Sequence, residues 1–169
     1  MSFYISKGLY KWRFLNLTPN DLTTLSVIST IIFLVFLHNR CAVLSVMFLL
    51  SRAYFDYADG MYARKYNLVT KFGDLYDHVN DIFVFGFPFF ILLLTSEKYH
   101  LCFPMVLATS LASINTACSE KDYMIEMGTY TSLTLSPLSR LCVAPDLFKY
   151  FDCSFQYIVY IFLIFIFCS

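Results

Sequence analysis

The chain has 169 residues, of which 59% are hydrophobic and only 14% are charged. A soluble domain is closer to half apolar and a quarter charged, so the composition predicts a membrane protein and argues against a soluble globular one. The formal net charge is zero, which gives no electrostatic reason to expect a nucleic-acid partner. The length, without any linker rich in Pro, Gly or Ser, predicts a single membrane domain over residues 1–169.

The first 18 residues mix basic and aromatic side chains at helical spacing. The apolar residues from Tyr4 to Trp12 fall near one face of a helix, whereas Lys7 and Lys11 fall on another. This pattern predicts an amphipathic helix lying in the membrane interface, with an ordinary basic flank to the first span as the alternative. No small-x-small cleavage site follows Leu37, so we expect no signal peptide.

Six apolar blocks follow and predict an all-α membrane protein with about six transmembrane helices. The blocks are 24–37, 42–55, 82–95, 101–117, 127–144 and 155–168. Several contain only about 14 residues, whereas a span needs about 20, so their helices must include the polar flanks. The second helix then continues through Asp56, and the third begins before Asp81. The block at 127–144 is the weakest, because it is rich in Ser and Thr and contains Pro137 and Arg140.

The distribution of basic residues predicts the orientation. With six spans and a cytoplasmic N-terminus, the inside segments carry Lys7, Lys11, Arg13, Arg64, Lys65, Lys71 and Lys121. The outside segments carry Arg40, Lys98 and Lys149. This excess of positive charge inside predicts that the segment from Asp56 to Asp81 lies at the cytoplasmic boundary.

Two predicted helical faces carry aspartates. One face of the second helix presents Asp56, Asp59, Gly60, Ala63 and Arg64, and one face of the third presents Gly73, Asp77 and Asp81. A short loop makes the two helices antiparallel neighbours, so we expect the four aspartates on these faces to converge. Asp74 falls outside the pattern. Arg52 lies one turn before Asp56, where we expect it to orient that carboxylate.

Four close carboxylates at a membrane boundary repel one another unless a cation compensates them. Hard divalent cations with oxygen ligands fit best, so the cluster predicts a site for two Mg²⁺ or Mn²⁺ ions that would clamp a transferring phosphoryl group. The small residues Gly60 and Ala63 would let a pyrophosphate approach the backbone, and Arg64 could bind its oxygens. The alternative is a solvated acidic helix end.

The segment 56–81 has the pattern DxxDGxxAR, eight further residues, then GxxxDxxxD. It resembles, at every fixed position, the signature of the CDP-alcohol phosphatidyltransferase family. The segment Pro19–Thr23 also looks like the PN-x-x-T entry to the first span of many members. The resemblance extends as a topology match over most of the chain, although the C-terminal half carries no recognisable motif.

This resemblance implies a phospholipid-synthesising transferase in which an alcohol hydroxyl attacks the β-phosphorus of a CDP-linked donor and CMP leaves. It places the metals on Asp56, Asp59, Asp77 and Asp81, and it makes Asp81 the base that deprotonates the hydroxyl. The positions that it assigns to the donor are Asn20, Asp59, Gly60, Ala63, Arg64, Thr70 and Gly73. It also implies a possible homodimer and, in a eukaryote, the endoplasmic reticulum.

The acceptor alcohol stays open at this level. The run KYN-x-x-T-K-F-G before Asp77 looks like phosphatidylinositol synthases, which favours CDP-diacylglycerol as the donor. The Asp77-His78 pair instead resembles choline/ethanolamine phosphotransferases, which use a CDP-alcohol and diacylglycerol. The DP pair common in glycerophosphate-type members is absent. Arg140 would anchor an anionic acceptor or, alternatively, partner a carboxylate or mark a span's end.

Two rival classes are a small membrane transporter whose acids form a cation path and an inactive homologue retained as an interaction protein. Clustering of the acids at one end of two helices argues against the first, and the intact signature argues against the second. The six cysteines, at positions 41, 102, 118, 142, 153 and 168, show no metal-ligand spacing. We expect free thiols or small buried hydrophobes there, with neither a zinc site nor a disulfide framework.

Overall fold

The computed structural model describes residues 17–95, 99–128, 132, 136–142 and 151–169. These described residues form five α-helices: α1 Pro19–His38, α2 Ala42–Lys65, α3 Lys71–Thr95, α4 Cys102–Met127 and α5 Cys153–Cys168. Two short 3₁₀ helices cover Tyr99–Leu101 and Ser136–Leu141. The described residues include no β-strand. The predicted interfacial helix lies outside the described residues.

Helix α1 begins at a capping box. The backbone N–H of Thr18 donates to Asp21 Oδ2 at 2.7 Å, and the N–H of Asp21 donates back to Thr18 Oγ1 at 3.3 Å. Pro19 lies in the first turn of α1. Backbone N–H groups there have no partner within the helix, so proline loses no helical hydrogen bond. These contacts fix the start of α1, and the segment Pro19–Thr23 therefore forms a helix N-terminus.

Helices α2 and α3 carry the aspartates, and a five-residue connection joins them. Asn67 adopts a left-handed backbone (φ 54°), which Asn tolerates better than most residues. Thr70 then caps α3, because its hydroxyl accepts from the N–H of Gly73 at 3.0 Å and its carbonyl from the N–H of Asp74 at 3.0 Å. The prediction that the second helix continues through Asp56 and the third begins before Asp81 is confirmed.

The chain divides into two compact units, Met1–Val84 and Phe85–Ser169, with the boundary inside α3. In the first unit, α1 contacts both α2 and α3. Asn80 of α3 is buried and donates to Ser26 Oγ at 2.8 Å, while the hydroxyl of Thr30 donates to Asn80 Oδ1 at 3.0 Å. Phe36 of α1 stacks on Phe48 of α2 with ring centroids 5.7 Å apart. Two hydroxyl residues of α1 therefore hold the buried amide of Asn80 on α3.

The second unit is organised around Tyr160 of α5, which is buried. Its hydroxyl donates to the carbonyl of Phe85 at 3.0 Å and lies 3.1 Å from Thr109 Oγ1 of α4. Gln156 donates to the same threonine oxygen at 3.2 Å. The apolar helices of this unit are thus joined by hydrogen bonds that satisfy their buried polar groups.

The expectation that all six cysteines are unpaired is wrong for two of them. Cys118 of α4 and Cys142 form a disulfide with Cα atoms 4.8 Å apart, while Cys41, Cys102, Cys153 and Cys168 remain thiols. The two partners are 24 residues apart in sequence, without any short Cys spacing, so local pattern could not reveal the pair. The disulfide ties the end of the 3₁₀ helix Ser136–Leu141 to α4.

Within the part of the chain that the structure describes, three helices are long and apolar enough to cross a membrane: Pro19–His38, Lys71–Leu94 and Tyr99–Glu126. Helix α5 is also apolar but shorter. In the predicted span 127–144, α4 ends at Met127, Gly128 adopts a left-handed backbone (φ 71°), and Ser136–Leu141 is a short 3₁₀ helix. Pro137 lacks the N–H that a longer helix would need there, so the described part is not a continuous α-helix. The membrane class is supported, while the count of six spans and their orientation stay predictions.

We expect Asn80→Ala to lower the free energy of unfolding by about 1–2 kcal/mol, because it removes the two hydrogen bonds that the Asn80 amide makes with the buried hydroxyls of Ser26 and Thr30. The measurement is unfolding in detergent micelles, followed by circular dichroism. Asn39→Ala is the matched control, since Asn39 is exposed and bonds only across its own helix end, to the carbonyl of Val35. Equal loss in both variants would contradict the assigned role of Asn80.

Candidate metal centre

Three aspartates meet where α2 and α3 face each other. Asp56 lies on α2, and Asp77 and Asp81 lie one turn apart on α3. Each offers a carboxylate oxygen, and these oxygens all lie within 4.8 Å of one another. All three side chains are half-buried. The predicted convergence of the two helical faces is therefore observed for these three residues, which we call the aspartate cluster.

Arg52 joins the two helices through the aspartate cluster. Its side chain is only 1% exposed, and Nη2 donates to Asp56 Oδ1 at 2.7 Å and also to Asp81 Oδ1. The expected contact with Asp56, one turn away, is confirmed. The contact with Asp81 is a functional feature that sequence reasoning missed. The contact depends on how α2 packs against α3, and the position of Arg52 in the sequence does not indicate this packing.

Asp59 occupies a different position from the aspartate cluster. It is buried, and the hydroxyl of Thr23 on α1 donates to Asp59 Oδ2 at 2.6 Å. Three residues along a helix turn a side chain about 60° away from the starting face, so Asp59 points toward α1 while Asp56 points toward α3. The expected meeting of four carboxylates is thus a meeting of three, while Asp59 of α2 is hydrogen-bonded to Thr23 of α1.

The aspartate cluster has the donor chemistry for a divalent cation. Asp77 Oδ1 is buried and has no hydrogen-bond partner, a situation that is rare for a carboxylate oxygen unless a ligand completes it. Three carboxylates carry three negative charges when ionised, and Arg52 compensates only one of them. An all-oxygen donor set with excess negative charge suits Mg²⁺ or Mn²⁺.

Gly60 and Arg64 form a second feature of α2, on the side predicted to bind phosphate. A Cβ placed on Gly60 would lie 3.2 Å from Arg64 Nη2 and 3.3 Å from Nη1. The guanidinium therefore lies over the bare backbone at Gly60, and a larger residue would push it away. Arg64 is exposed, and Ala63 beside it is half-buried. An exposed guanidinium next to a glycine is a suitable arrangement for phosphate oxygens.

Asn20, Thr70 and Gly73 come together where α1 and α3 begin. A Cβ on Gly73 would lie 2.9 Å from Asn20 Oδ1 and 3.1 Å from Thr70 Oγ1. Nearby, the hydroxyls of Thr24 and Tyr76 are 3.5 Å apart. The three residues singled out from three separate sequence positions are therefore neighbours, and only glycine fits between the two polar groups.

The remaining residues lie elsewhere. Asp74 lies beside His78. The Nδ1 atom of His78 contacts the backbone carbonyl of Asp74 and lies 3.8 Å from Asp74 Oδ1. This agrees with its exclusion from the predicted pattern. Arg140 is exposed in the 3₁₀ helix Ser136–Leu141 of the second unit. Its expected place inside a span is not observed, and its contact with an acceptor stays a prediction.

Comparison with known sequences gives a family for this arrangement. The sequence profile described as CDP-alcohol phosphatidyltransferase matches residues 16–167. Two curated relatives, from Rickettsia typhi and Rickettsia prowazekii, are named CDP-diacylglycerol–glycerol-3-phosphate 3-phosphatidyltransferase. Each is 39% identical over 71 residues, which cover 40% of this chain and 40% and 39% of the respective relatives. The matched region is thus well under half of each relative's length. No solved structure matches the chain significantly.

We expect Asp77→Asn to weaken binding of Mn²⁺ at least about tenfold, because it replaces a ligand charge in the aspartate cluster with a neutral amide. Titration of purified protein in detergent, with free Mn²⁺ measured by electron paramagnetic resonance, provides the affinity. Asp74→Asn removes the same charge from the same helix outside the cluster, and it should leave the affinity nearly unchanged. Similar losses in both variants would show that the metal responds to net charge alone.

Proposed function

Because the chain belongs to the CDP-alcohol phosphatidyltransferase family, we propose that it transfers a phosphatidyl group from a CDP-linked lipid, CDP-diacylglycerol, to an alcohol. The observation that carries the proposal is the convergence of Asp56, Asp77 and Asp81 in the spacing of the family signature. The aspartates lie in the halves of α2 and α3 nearest their connection, and an acidic cluster confined there and able to hold divalent cations suits a diphosphate substrate better than a path through the membrane. This distribution disfavours the transporter alternative.

The metal ligands in this proposal are the aspartate cluster and, after release from Thr23, Asp59. Asp59 uses one oxygen for the hydroxyl of Thr23, and a small side-chain rotation would turn it toward the others. Bound Mg²⁺ or Mn²⁺ ions would supply compensation of the charge that develops on the transferring phosphoryl group. The protein supplies fixed carboxylates on two helices held together by buried contacts.

Asp81 is the base in this proposal. Its side chain is 37% exposed, against 21% for Asp56, so an alcohol can reach it more easily. The acceptor hydroxyl gives its proton to Asp81 while its oxygen forms a bond to the β-phosphorus of the donor. The bond from that phosphorus to the oxygen of CMP breaks, and CMP leaves with the electron pair.

The donor would lie along α2 and the starts of α1 and α3. Arg64, which lies over Gly60, would bind oxygens of the diphosphate. The small side chain of Ala63 would leave room for the ligand on the same face. Asn20 and Thr70, held on either side of Gly73, would hydrogen-bond the nucleotide part. These polar groups are small or glycine-flanked, which lets a ligand approach the backbone closely.

The acceptor in this proposal is a small polar alcohol. The relatives carry glycerol 3-phosphate in their names, which makes it the first candidate. The KYN-x-x-T-K-F-G run favours inositol as the second, and the Asp77-His78 pair keeps diacylglycerol with a CDP-alcohol donor as an alternative. Exposed Arg140 would suit an anionic acceptor. We further propose a site on the cytoplasmic side, in the endoplasmic reticulum of a eukaryotic cell, and a homodimer.

The test uses purified protein in mixed micelles with radiolabelled CDP-diacylglycerol and Mg²⁺ or Mn²⁺. Glycerol 3-phosphate, inositol, serine and no alcohol are compared, and CDP-choline with diacylglycerol is run in parallel. Alcohol-dependent release of CMP, abolished in Asp77→Asn, supports the proposal and identifies the acceptor. No release with any combination, from protein that binds Mn²⁺, favours the inactive homologue.

For Asp81→Asn we expect loss of turnover by at least about 100-fold, the scale of a general base, with binding of the CDP donor largely retained. Turnover is measured by release of CMP, and donor binding by equilibrium dialysis with labelled CDP-diacylglycerol. Equal loss of donor binding and turnover would overturn the assignment of Asp81 as base.

For Gly73→Ala we expect weaker donor binding without loss of stability. Alanine displaces Asn20 and the Thr70 hydroxyl that caps α3, and this cost is offset because alanine favours an α-helix over glycine by up to about 1 kcal/mol. Gly86→Ala is the matched control in the same helix, because a Cβ there meets nothing within 4 Å. The KM for the donor and the unfolding midpoint are measured for both variants. An unchanged KM in Gly73→Ala would argue against donor contact at the starts of α1 and α3.

A further inference from the structure

Arg52 occupies a position that a bound cation would need. The oxygens that accept from its Nη2 are Oδ1 of Asp56 and Oδ1 of Asp81, two of the three residues in the aspartate cluster. A divalent ion that bridged the same two carboxylates would lie close to the guanidinium of Arg52. Two cations so close together repel each other. Arg52 and a metal ion therefore compete for the same negative charge.

The positive charge of Arg52 is buried inside the protein. The side chain is 1% exposed, and the hydroxyl of Ser26 on α1 contacts the backbone carbonyl of Arg52 at 3.5 Å. A buried guanidinium is stable only beside carboxylates. Its two aspartate partners, one on each helix, provide that compensation and are themselves held together by it.

We propose that Arg52 is a built-in counter-cation that holds Asp56 and Asp81 together when metal is absent and that divalent ions bind in competition with it. Its side chain moves away from at least one of the two carboxylates when the ion enters. This role adds to the proposed function and rests on it only in taking the aspartate cluster as the metal ligands. Arg52 is a positioning residue, outside the eight fixed positions of the signature.

The first experiment compares Mn²⁺ affinity and stability for wild type, Arg52→Met and Arg52→Lys in detergent. Met keeps a long side chain without charge, and Lys keeps the charge. We expect Arg52→Met to bind Mn²⁺ more tightly than wild type by on the order of tenfold, as expected when a neighbouring like charge is removed. In EDTA the same variant should unfold at a lower temperature than wild type, and Mn²⁺ should raise its midpoint by more. Arg52→Lys should resemble wild type in affinity.

Lys121→Met is the charge-matched control, since Lys121 is exposed on α4. It should change neither the Mn²⁺ affinity nor the midpoint in EDTA. Unchanged or weaker Mn²⁺ binding in folded Arg52→Met would overturn the proposal, because Arg52 would then support the ligands without competing for them.

A second measurement follows the wild-type protein itself and uses Arg52→Lys, which keeps the charge, only to assign a signal. The chain contains five arginines, so their side-chain NMR signals in protein labelled with ¹⁵N-arginine are few, and Arg52→Lys assigns the one of interest. We expect the Arg52 signal of wild type to shift when Mg²⁺ saturates the protein and to return with EDTA. An Arg52 signal that stays unchanged at saturating Mg²⁺ would falsify displacement.

These measurements use neither donor nor acceptor. A protein that binds metal in competition with Arg52 but releases no CMP would contradict the proposed activity and leave the role of Arg52 intact. A protein that releases CMP while metal binding does not affect Arg52 would support the proposed activity and overturn the role of Arg52.

Discussion

Negative charge collected at the edge of an apolar bundle must be compensated, and this requirement governs the arrangement of the first unit. Three carboxylates lie within a few ångströms of one another, with a fully buried guanidinium against two of them. Such a group persists because both helices that contribute to it are fixed elsewhere, so repulsion cannot separate them. The two helices are therefore held in place by contacts on a third.

Helix α1 provides these contacts through a polar stripe inside an otherwise apolar element. Thr23, Ser26 and Thr30 follow one another at helical spacing, and they reach Asp59, the backbone of Arg52, and Asn80. Each hydroxyl is small enough for close helix approach and polar enough to satisfy a buried partner. Helix α1 contributes no member of the aspartate cluster, yet it contacts both helices that do.

Much of this first unit was predictable from sequence because the signals are local or periodic. The helical spacing of Asp56, Asp77 and Asp81 predicts facing surfaces, and the family resemblance singles out Asn20, Thr70 and Gly73, which the structure brings together. The contact between Arg52 and Asp81, the turn of Asp59 toward Thr23 and the pairing of Cys118 with Cys142 were not predictable in this way. Each depends on how two segments distant in sequence pack together, and single-sequence periodicity carries no information about that packing. The described part of 127–144 is not the continuous helix that was predicted for a span. The prediction gave more weight to the apolar residues of this segment than to Pro137 and the Ser and Thr residues.

The hydroxyl of Thr70 caps α3 through Gly73 and also lies beside Asn20 at the proposed donor contact. This one oxygen therefore serves the start of a helix and, in the proposed function, ligand recognition. A serine could satisfy both demands, since it keeps the hydroxyl at the same reach, whereas valine would keep the shape and fail at both. The choice of side chain at residue 70 is therefore narrow, because the local fold and the proposed ligand contact depend on the same hydroxyl.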